Sequence, residues 1–165
     1  MPCSNVLWAP WRMSYVVGGE QKECIFCRAV LGSDEDNYVV LRSHHSIAML
    51  NIYPYNTGHV MIAPKRHISR PELLTQEEVL DMHNVLSAII KALDEEYNPH
   101  GYNIGLNIGR VAGAGVEHHL HIHVVPRWSG DTNFMPVIGR VKVIPEDLAR
   151  TYERLKSRLI KTRTI

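Results

Sequence analysis

Glu117-His-His-Leu-His-Ile-His-Val-Val-Pro-Arg127 places four histidines between positions 118 and 123. In an extended strand successive side chains point to opposite faces. His119, His121 and His123 therefore project together, while Leu120, Ile122 and Val124 turn the other way, into a core. Solvated sheet faces ordinarily mix Thr, Lys, Glu and Ser, so three imidazoles on one face point to chemistry. Two other readings stand beside that one: an accidental polar stripe, and a three-histidine zinc site keeping an open water position.

The flanking sequence supplies the rest of such a sheet. Tyr38 to Ser43, Ser46 to Asn51 and His59 to Ala63 are short β-rich or apolar runs separated by turn residues, and they predict consecutive strands. Tyr53-Pro-Tyr-Asn-Thr-Gly58 is turn chemistry. Thr75, with Glu78 three residues on, predicts a helix start. Val79, Leu80, Met82, Val85, Leu86, Ile89, Ile90 and Leu93 then recur at helical spacing up to about Tyr97. Gly101 to Ile108 and Leu120 to Pro126 predict two further strands, joined by the Gly-rich segment Gly109 to Gly115. A closing helix spans Pro145 to Lys161, with Pro145 in its first turn and Leu148, Tyr152, Leu155 and Leu159 on one face. The sum is an α+β domain: a mostly antiparallel sheet of about five strands, one long helix and a C-terminal helix.

The chain has 165 residues, which reads as a single domain over 1–165. Eighteen Lys and Arg against seventeen Asp and Glu leave a formal charge of +1. No bulk field then favours nucleic acid or an acidic membrane, and any phosphate must be met locally. Met1 to Val17 carries Pro10, Arg12 and two tryptophans where a signal peptide needs an unbroken apolar stretch, and no run approaches a membrane span. A cytoplasmic protein is expected. Cys3, Cys24 and Cys27 cannot build a disulfide framework, and the Cys24-x-x-Cys27 pair reads as half of a metal site or as two small core residues.

His119-Leu-His-Ile-His-Val-Val125 matches the alternating signature of the histidine triad family, and Pro126-Arg127 continues it. Trp8 to Tyr15, Leu50 to His59, Gly101 to Asn107 and Arg127 to Met135 resemble the branch containing bacterial diadenosine tetraphosphate phosphorylases. The likeness spans most of the chain and implies a HIT-like fold. It also implies an enzyme that cleaves dinucleoside polyphosphates at the α-phosphate through a covalent nucleotidyl-histidine, by phosphorolysis or hydrolysis. A nucleoside phosphoramidate hydrolase and a non-catalytic nucleotide sensor are the alternatives.

The resemblance also implies roles. His121 would be the nucleophile, since a neutral imidazole attacks phosphorus well and a covalent intermediate divides one displacement into two. His123 would contact the phosphate and the leaving oxygen, where donors stabilise developing charge. His119 completes the triad. Asn107, Gly113 and Gly115 resemble the family's phosphate loop, although a Gly-rich connection is by itself often only flexible. Where many members carry Ser or Gln near Ala114 and Gly115, this chain has none, so backbone amides would have to serve. Asn51 matches the ribose-binding position, with a turn residue as its other reading, and Ile47 and Leu50 would line the purine pocket. Pro64-Lys-Arg-His67 resembles the stretch that completes a structural zinc site with the first triad histidine. That gives Cys24, Cys27, His67 and His119 as ligands, with His44, His45 and His118 as rivals. A homodimer acting on a small adenine nucleotide, with no organic cofactor, follows from the same likeness.

Overall fold

The computed structural model describes residues 23–133, 138–139 and 143–162. The Trp8 to Tyr15 stretch, Cys3 and the last residues of the Arg127 to Met135 stretch lie outside them. Five strands form one antiparallel sheet: β1 (Val39–Arg42), β2 (Ser46–Leu50), β3 (Val60–Pro64), β4 (Gly101–Leu106) and β5 (Ile122–Arg127). Their order is β1-β2-β3-β5-β4. Among the described residues they are accompanied by the α-helices α1 (Ile25–Leu31), α2 (Gln76–Tyr97) and α3 (Leu148–Thr162). This is the α+β architecture the periodicities predict.

β2 and β3 are buried at every position because both faces of the sheet are covered. On one face Ala48, Leu50, Val60, Ile62 and Val124 pack against Met82, Val85, Ile89 and Leu93 of α2 and Leu155 and Leu159 of α3. Burial of each large apolar side chain of this kind stabilises by roughly 1.5–3 kcal/mol. On the other face Phe26 and Ala29 of α1 pack against Val39, Ile47, Met49, Met61 and Ala63. A continuous apolar run, rather than an alternating one, is what such two-sided burial requires. None of the helices among the described residues is long and apolar enough to cross a membrane.

Three details differ from expectation. Helix α1 was not foreseen, because seven residues give too short a window for periodicity. Val79 and Leu80 are exposed, since the face of α2 that meets the sheet runs through Glu78, Met82, Val85, Ile89, Ala92 and Leu93. Pro145 lies ahead of α3, which starts at Leu148; Asp147 takes the cap, its carboxylate accepting from the Arg150 amide at 2.9 Å.

The start of α2 is as the sequence indicates, a reciprocal capping box between Thr75 and Glu78. The buried Glu78 carboxylate also takes a two-pronged contact from Arg66, at 2.9 and 2.7 Å. The pair fastens the β3–α2 connection, which carries His67, to the helix. The Arg66 guanidinium holds the Glu78 carboxyl down at about 2. A carboxylate depressed in the folded state contributes stability above its unfolded value of 4.5, and that contribution is lost as pH falls through about 2. Glu78→Gln should therefore cost about 1–2 kcal/mol at neutral pH. Urea unfolding should show that difference narrowing on acidification below pH 4.5, and a pH-independent difference would contradict the ion-pair origin.

Candidate active site and metal cluster

β5 lies between β3 and β4, with Met61 and Gly105 as the residues paired with His123. Only His123 of the three histidines belongs to the ladder, because β5 begins at Ile122. His119 and His121 lie in the segment that leads into it, pinned by the Leu120 amide to the Ile68 carbonyl at 2.6 Å. The alternation nonetheless holds: Ile122 and Val124 join the helix-side core, and the histidines gather on the opposite face.

There the rings form a continuous row. Tyr55 and His59 have centroids 4.7 Å apart, His59 and His123 5.1 Å, and His123 and His121 4.9 Å. Phe26 follows at 4.9 Å from His121 and 5.0 Å from His119, and His67 stands 5.1 Å beyond. Phe26, Tyr55 and His59 were not singled out from sequence. A signal for His59 existed, since it shares strand parity with Met61 and Ala63, but its use requires knowing that β3 neighbours β5.

Hydrogen bonds decide where each imidazole proton sits, because a carbonyl oxygen only accepts and a backbone amide only donates. His121 Nδ1 lies 2.8 Å from the His119 carbonyl, so it carries the proton and Nε2 holds the lone pair. His119 Nε2 lies 2.8 Å from the Pro64 carbonyl, so its Nδ1 is the lone pair, facing Cys24 Sγ at 3.3 Å and Cys27 Sγ at 3.7 Å. His59 Nδ1 accepts from the Tyr55 amide at 3.1 Å, which places its proton on Nε2, 2.9 Å from His123 Nδ1. His123 Nδ1 therefore accepts, and its Nε2 presents N–H.

Burial disfavours the charged form of each ring. It lowers the pKa of His119 and of His121, and with His121 nearby it takes His123 down to about 4. His121 is 4 % exposed, far more enclosed than a side chain on an open sheet face. Nothing among the described residues hydrogen-bonds its Nε2.

Cys24, Cys27, His67 and His119 each offer one donor atom, all within 4.8 Å of one another. Cys27 Sγ lies 3.1 Å from His67 Nδ1. The sulfur–nitrogen separations of 3.1, 3.3 and 3.7 Å are close to the edges of a tetrahedron with metal–sulfur bonds of about 2.3 Å and metal–nitrogen bonds of about 2.0 Å. Burial and the neighbouring Cys24 raise the Cys27 thiol, so thiolates here call for a cation, and the His119 lone pair already points inward. The four residues fit a metal ion. The rivals fall away, since His44 and His45 meet edge to face and neither they nor His118 join the cluster. The three triad imidazoles do not converge on a common metal position either, because His119 alone faces the cluster.

The other expected site residues are placed unevenly. Asn51 Oδ1 accepts from the Tyr53 amide at 2.9 Å, the turn reading, while its Nδ2 lies 3.3 Å from His59 Nδ1. Leu50 is a correction: it faces α2 and α3, on the far side of the sheet from the histidines, because strand parity separates it from Ile47. Ile47 is on the triad side but wholly buried beneath α1, so it can shape a base pocket only from below. Asn107 and Gly113 meet through a side-chain amide to carbonyl contact of 3.5 Å, and Gly113 adopts φ +92°, a left-handed turn that closes the loop. The amides of Ala112, Gly113 and Ala114 bond within the loop, whereas those from Gly115 to His118 have no partner among the described residues. That leaves a short row of donors ahead of the triad.

A HIT domain family model matches residues 33–130. The chain belongs to the HIT family. It is 41 % identical over 154 residues to an AP-4-A phosphorylase of Mycobacterium tuberculosis, covering 88 % of this chain and 79 % of that one. To an adenosine 5'-monophosphoramidase of Schizosaccharomyces pombe it is 28 % identical, over 82 % of this chain and 98 % of that one. Among solved structures it resembles a zinc-bound histidine triad family protein of Mycobacterium smegmatis. The TM-score there is 0.67 at 28 % identity, over 86 % of this chain and 96 % of the other.

The proton positions of this HIT chain are measurable. Long-range proton–nitrogen NMR at neutral pH should show His121 protonated at Nδ1 and His123 at Nε2. Because burial destabilises the imidazolium, the neutral form should persist well below pH 6.5, with a His123 midpoint at about 4. A His123 midpoint at 6.5 would remove the buried, neutral triad.

Proposed function

We propose that the protein cleaves dinucleoside polyphosphates such as diadenosine tetraphosphate at the α-phosphate through a nucleotidyl-His121 intermediate. The observation that carries this is the hydrogen bond from His121 Nδ1 to the His119 carbonyl, which leaves Nε2 as the only lone pair of the ring. Nε2 attacks the α-phosphorus as the bond to the leaving polyphosphate oxygen breaks. The ring becomes cationic, and the carbonyl on Nδ1–H stabilises that charge. His123 Nε2–H donates to the phosphate and the departing oxygen. The amides of Gly115 to His118 receive the non-bridging oxygens. Asn107 and Gly113 hold that loop, and Asn51, whose Oδ1 keeps a second lone pair, meets the ribose.

The identity to a phosphorylase of diadenosine tetraphosphate favours phosphate as the acceptor that resolves the intermediate. Diadenosine tetraphosphate should then give ADP and ATP with phosphate present. Water as acceptor gives AMP and ATP. Two ADP would mean attack at another phosphorus and would overturn the reading. His121→Ala should lower turnover by about 10³-fold or more while nucleotide still binds. Turnover of adenosine 5'-phosphoramidate alone would move the protein to the phosphoramidase reading, and binding without turnover of either to a sensor.

The cysteine and histidine donors support zinc as the resident ion, which would hold the N-terminal end of α1 against the sheet when bound. With all four positions taken by protein it supplies structure rather than a water nucleophile. Ile104 and Leu106 on the edge strand β4, with Ile108 just beyond, expose apolar surface beside unpaired backbone, which supports a homodimer through that edge. The near-neutral charge supports a protein without nucleic-acid partners, and we infer a single domain in the cytoplasm. Elemental analysis should find about one zinc per chain, lost in Cys27→Ser, and light scattering should give the mass of two chains.

A further inference from the structure

We propose that Phe26 is a positioning residue through which the Cys24–Cys27–His67–His119 cluster sets the orientation of His121. The proposal rests on the reading of His121 as nucleophile.

Phe26 lies between the two cysteines in sequence, and its ring is fully buried between the imidazoles of His119 and His121. The interplanar angles are 44° and 35°, so the ring leans on both. His121 is thereby walled on one side by Phe26 and on the other by His123, whose ring stands at 75° to it. With Nδ1 tied to the His119 carbonyl, the remaining freedom of the imidazole is a swing about its side-chain torsions. Phe26 is the body that blocks the swing away from His123.

What holds Phe26 in place is uneven along α1. The C-terminal end is anchored by Arg42, whose guanidinium donates to the carbonyls of Val30 at 3.0 Å, Ala29 at 2.7 Å and Gly32 at 2.9 Å. At the other end the cap residue is Cys24, with no side-chain cap hydrogen bond and no acidic residue in the first turn. A helix of seven residues is too short to persist without external ties. Among the described residues the side-chain ties of Cys24 and Cys27 at this end are the thiol contacts with His67 and His119, and thiols are weak hydrogen-bonding groups. Four donors converging on one ion replace those weak contacts with a rigid anchor one residue from Phe26 on either side. Occupancy of the cluster is thus transmitted to the nucleophile by an aromatic wedge, although the ion itself stays outside the reaction.

A second route from cluster to nucleophile runs through His119, whose carbonyl holds His121. The two routes separate by mutation, because Phe26→Ala and Phe26→Leu keep all four ligands and the His119 carbonyl. The measurement compares zinc-loaded wild type, chelator-treated wild type and the two zinc-loaded variants. It records zinc content, kcat and KM with diadenosine tetraphosphate, and the imidazole NMR signals of His121 at one fixed pH. In Phe26→Ala, kcat should fall about 10²-fold with KM within about twofold and zinc retained, the loss expected of a nucleophile misplaced by about 1 Å. Phe26→Leu, which fills most of the volume, should lie between and keeps the test open where the alanine variant does not fold. The His121 signals should shift or broaden alike in chelated wild type and in the zinc-loaded variants. Wild-type kcat and wild-type His121 signals in folded, zinc-loaded variants would overturn the proposal, as would His121 signals indifferent to chelation. The NMR arm needs no turnover, so it stands even where His121→Ala leaves activity intact and the nucleophile reading itself fails.

Discussion

A main-chain carbonyl can only accept and a main-chain amide can only donate, and three such groups determine the chemistry of four imidazoles here. The Pro64 carbonyl fixes His119, the His119 carbonyl fixes His121, and the Tyr55 amide fixes His59 and through it His123. Both nitrogens of His59 are used in this way, and the three triad rings are each left with one further nitrogen of defined character: lone pairs at His119 and His121, and N–H at His123. No charged group is needed to impose this, so the site stays neutral and buried without leaving an uncompensated ion. The order of lone pair and donor along the row matches a nucleophile followed by a group that meets the leaving oxygen.

That arrangement depends on the sheet. β5 sits between β3 and β4, so His123 has Met61 on one side and Gly105 on the other, and His59 reaches it from the start of β3. Helices α2 and α3 seal the opposite face, Ile89 and Leu155 packing in one cluster with Ile62 and Val124 of the sheet, and this fixes the parity of those strands. A slip of one residue in β5 would turn His123 into that apolar core. The two-pronged Arg66–Glu78 contact works one layer out, holding the connection that brings His67 to the cluster.

Much of this was legible in the sequence because the signals are local and periodic. The capping box at Thr75 and Glu78 is a four-residue pattern, and the triad alternation is intrinsic to a strand. The metal donors converge from three distant segments. Their spacing within Cys24-x-x-Cys27 was legible, but the completion by His67 and His119 came through family likeness rather than periodicity. Leu50 was misplaced because an unbroken apolar run gives no parity of its own; only the pairing with Val60 tells which face it takes. Phe26, Tyr55 and His59 were missed for a related reason, since each acts across strands or layers. The loop at Gly109 to Gly115 announces close backbone approach, yet its internal bonds use up the amides of Ala112, Gly113 and Ala114.

Burial of the proposed nucleophile and access to it are opposed demands, and the face is asymmetric in a way that meets both. Phe26 closes the His119 side of His121, keeping water from the ring and favouring its neutral form. On the other side Gly105, paired with His123, has nothing within 4 Å of where a side chain would begin. Asn103 and Gly105 share that face of β4, with Asn107 just beyond its end, so the open volume beside the triad is bounded by small or polar groups. The partnerless amides of Gly115 to His118 precede it in the chain. In the proposed reaction a phosphoryl group would approach from the β4 side, past His123, and a side chain at Gly105 would obstruct that approach without touching His121.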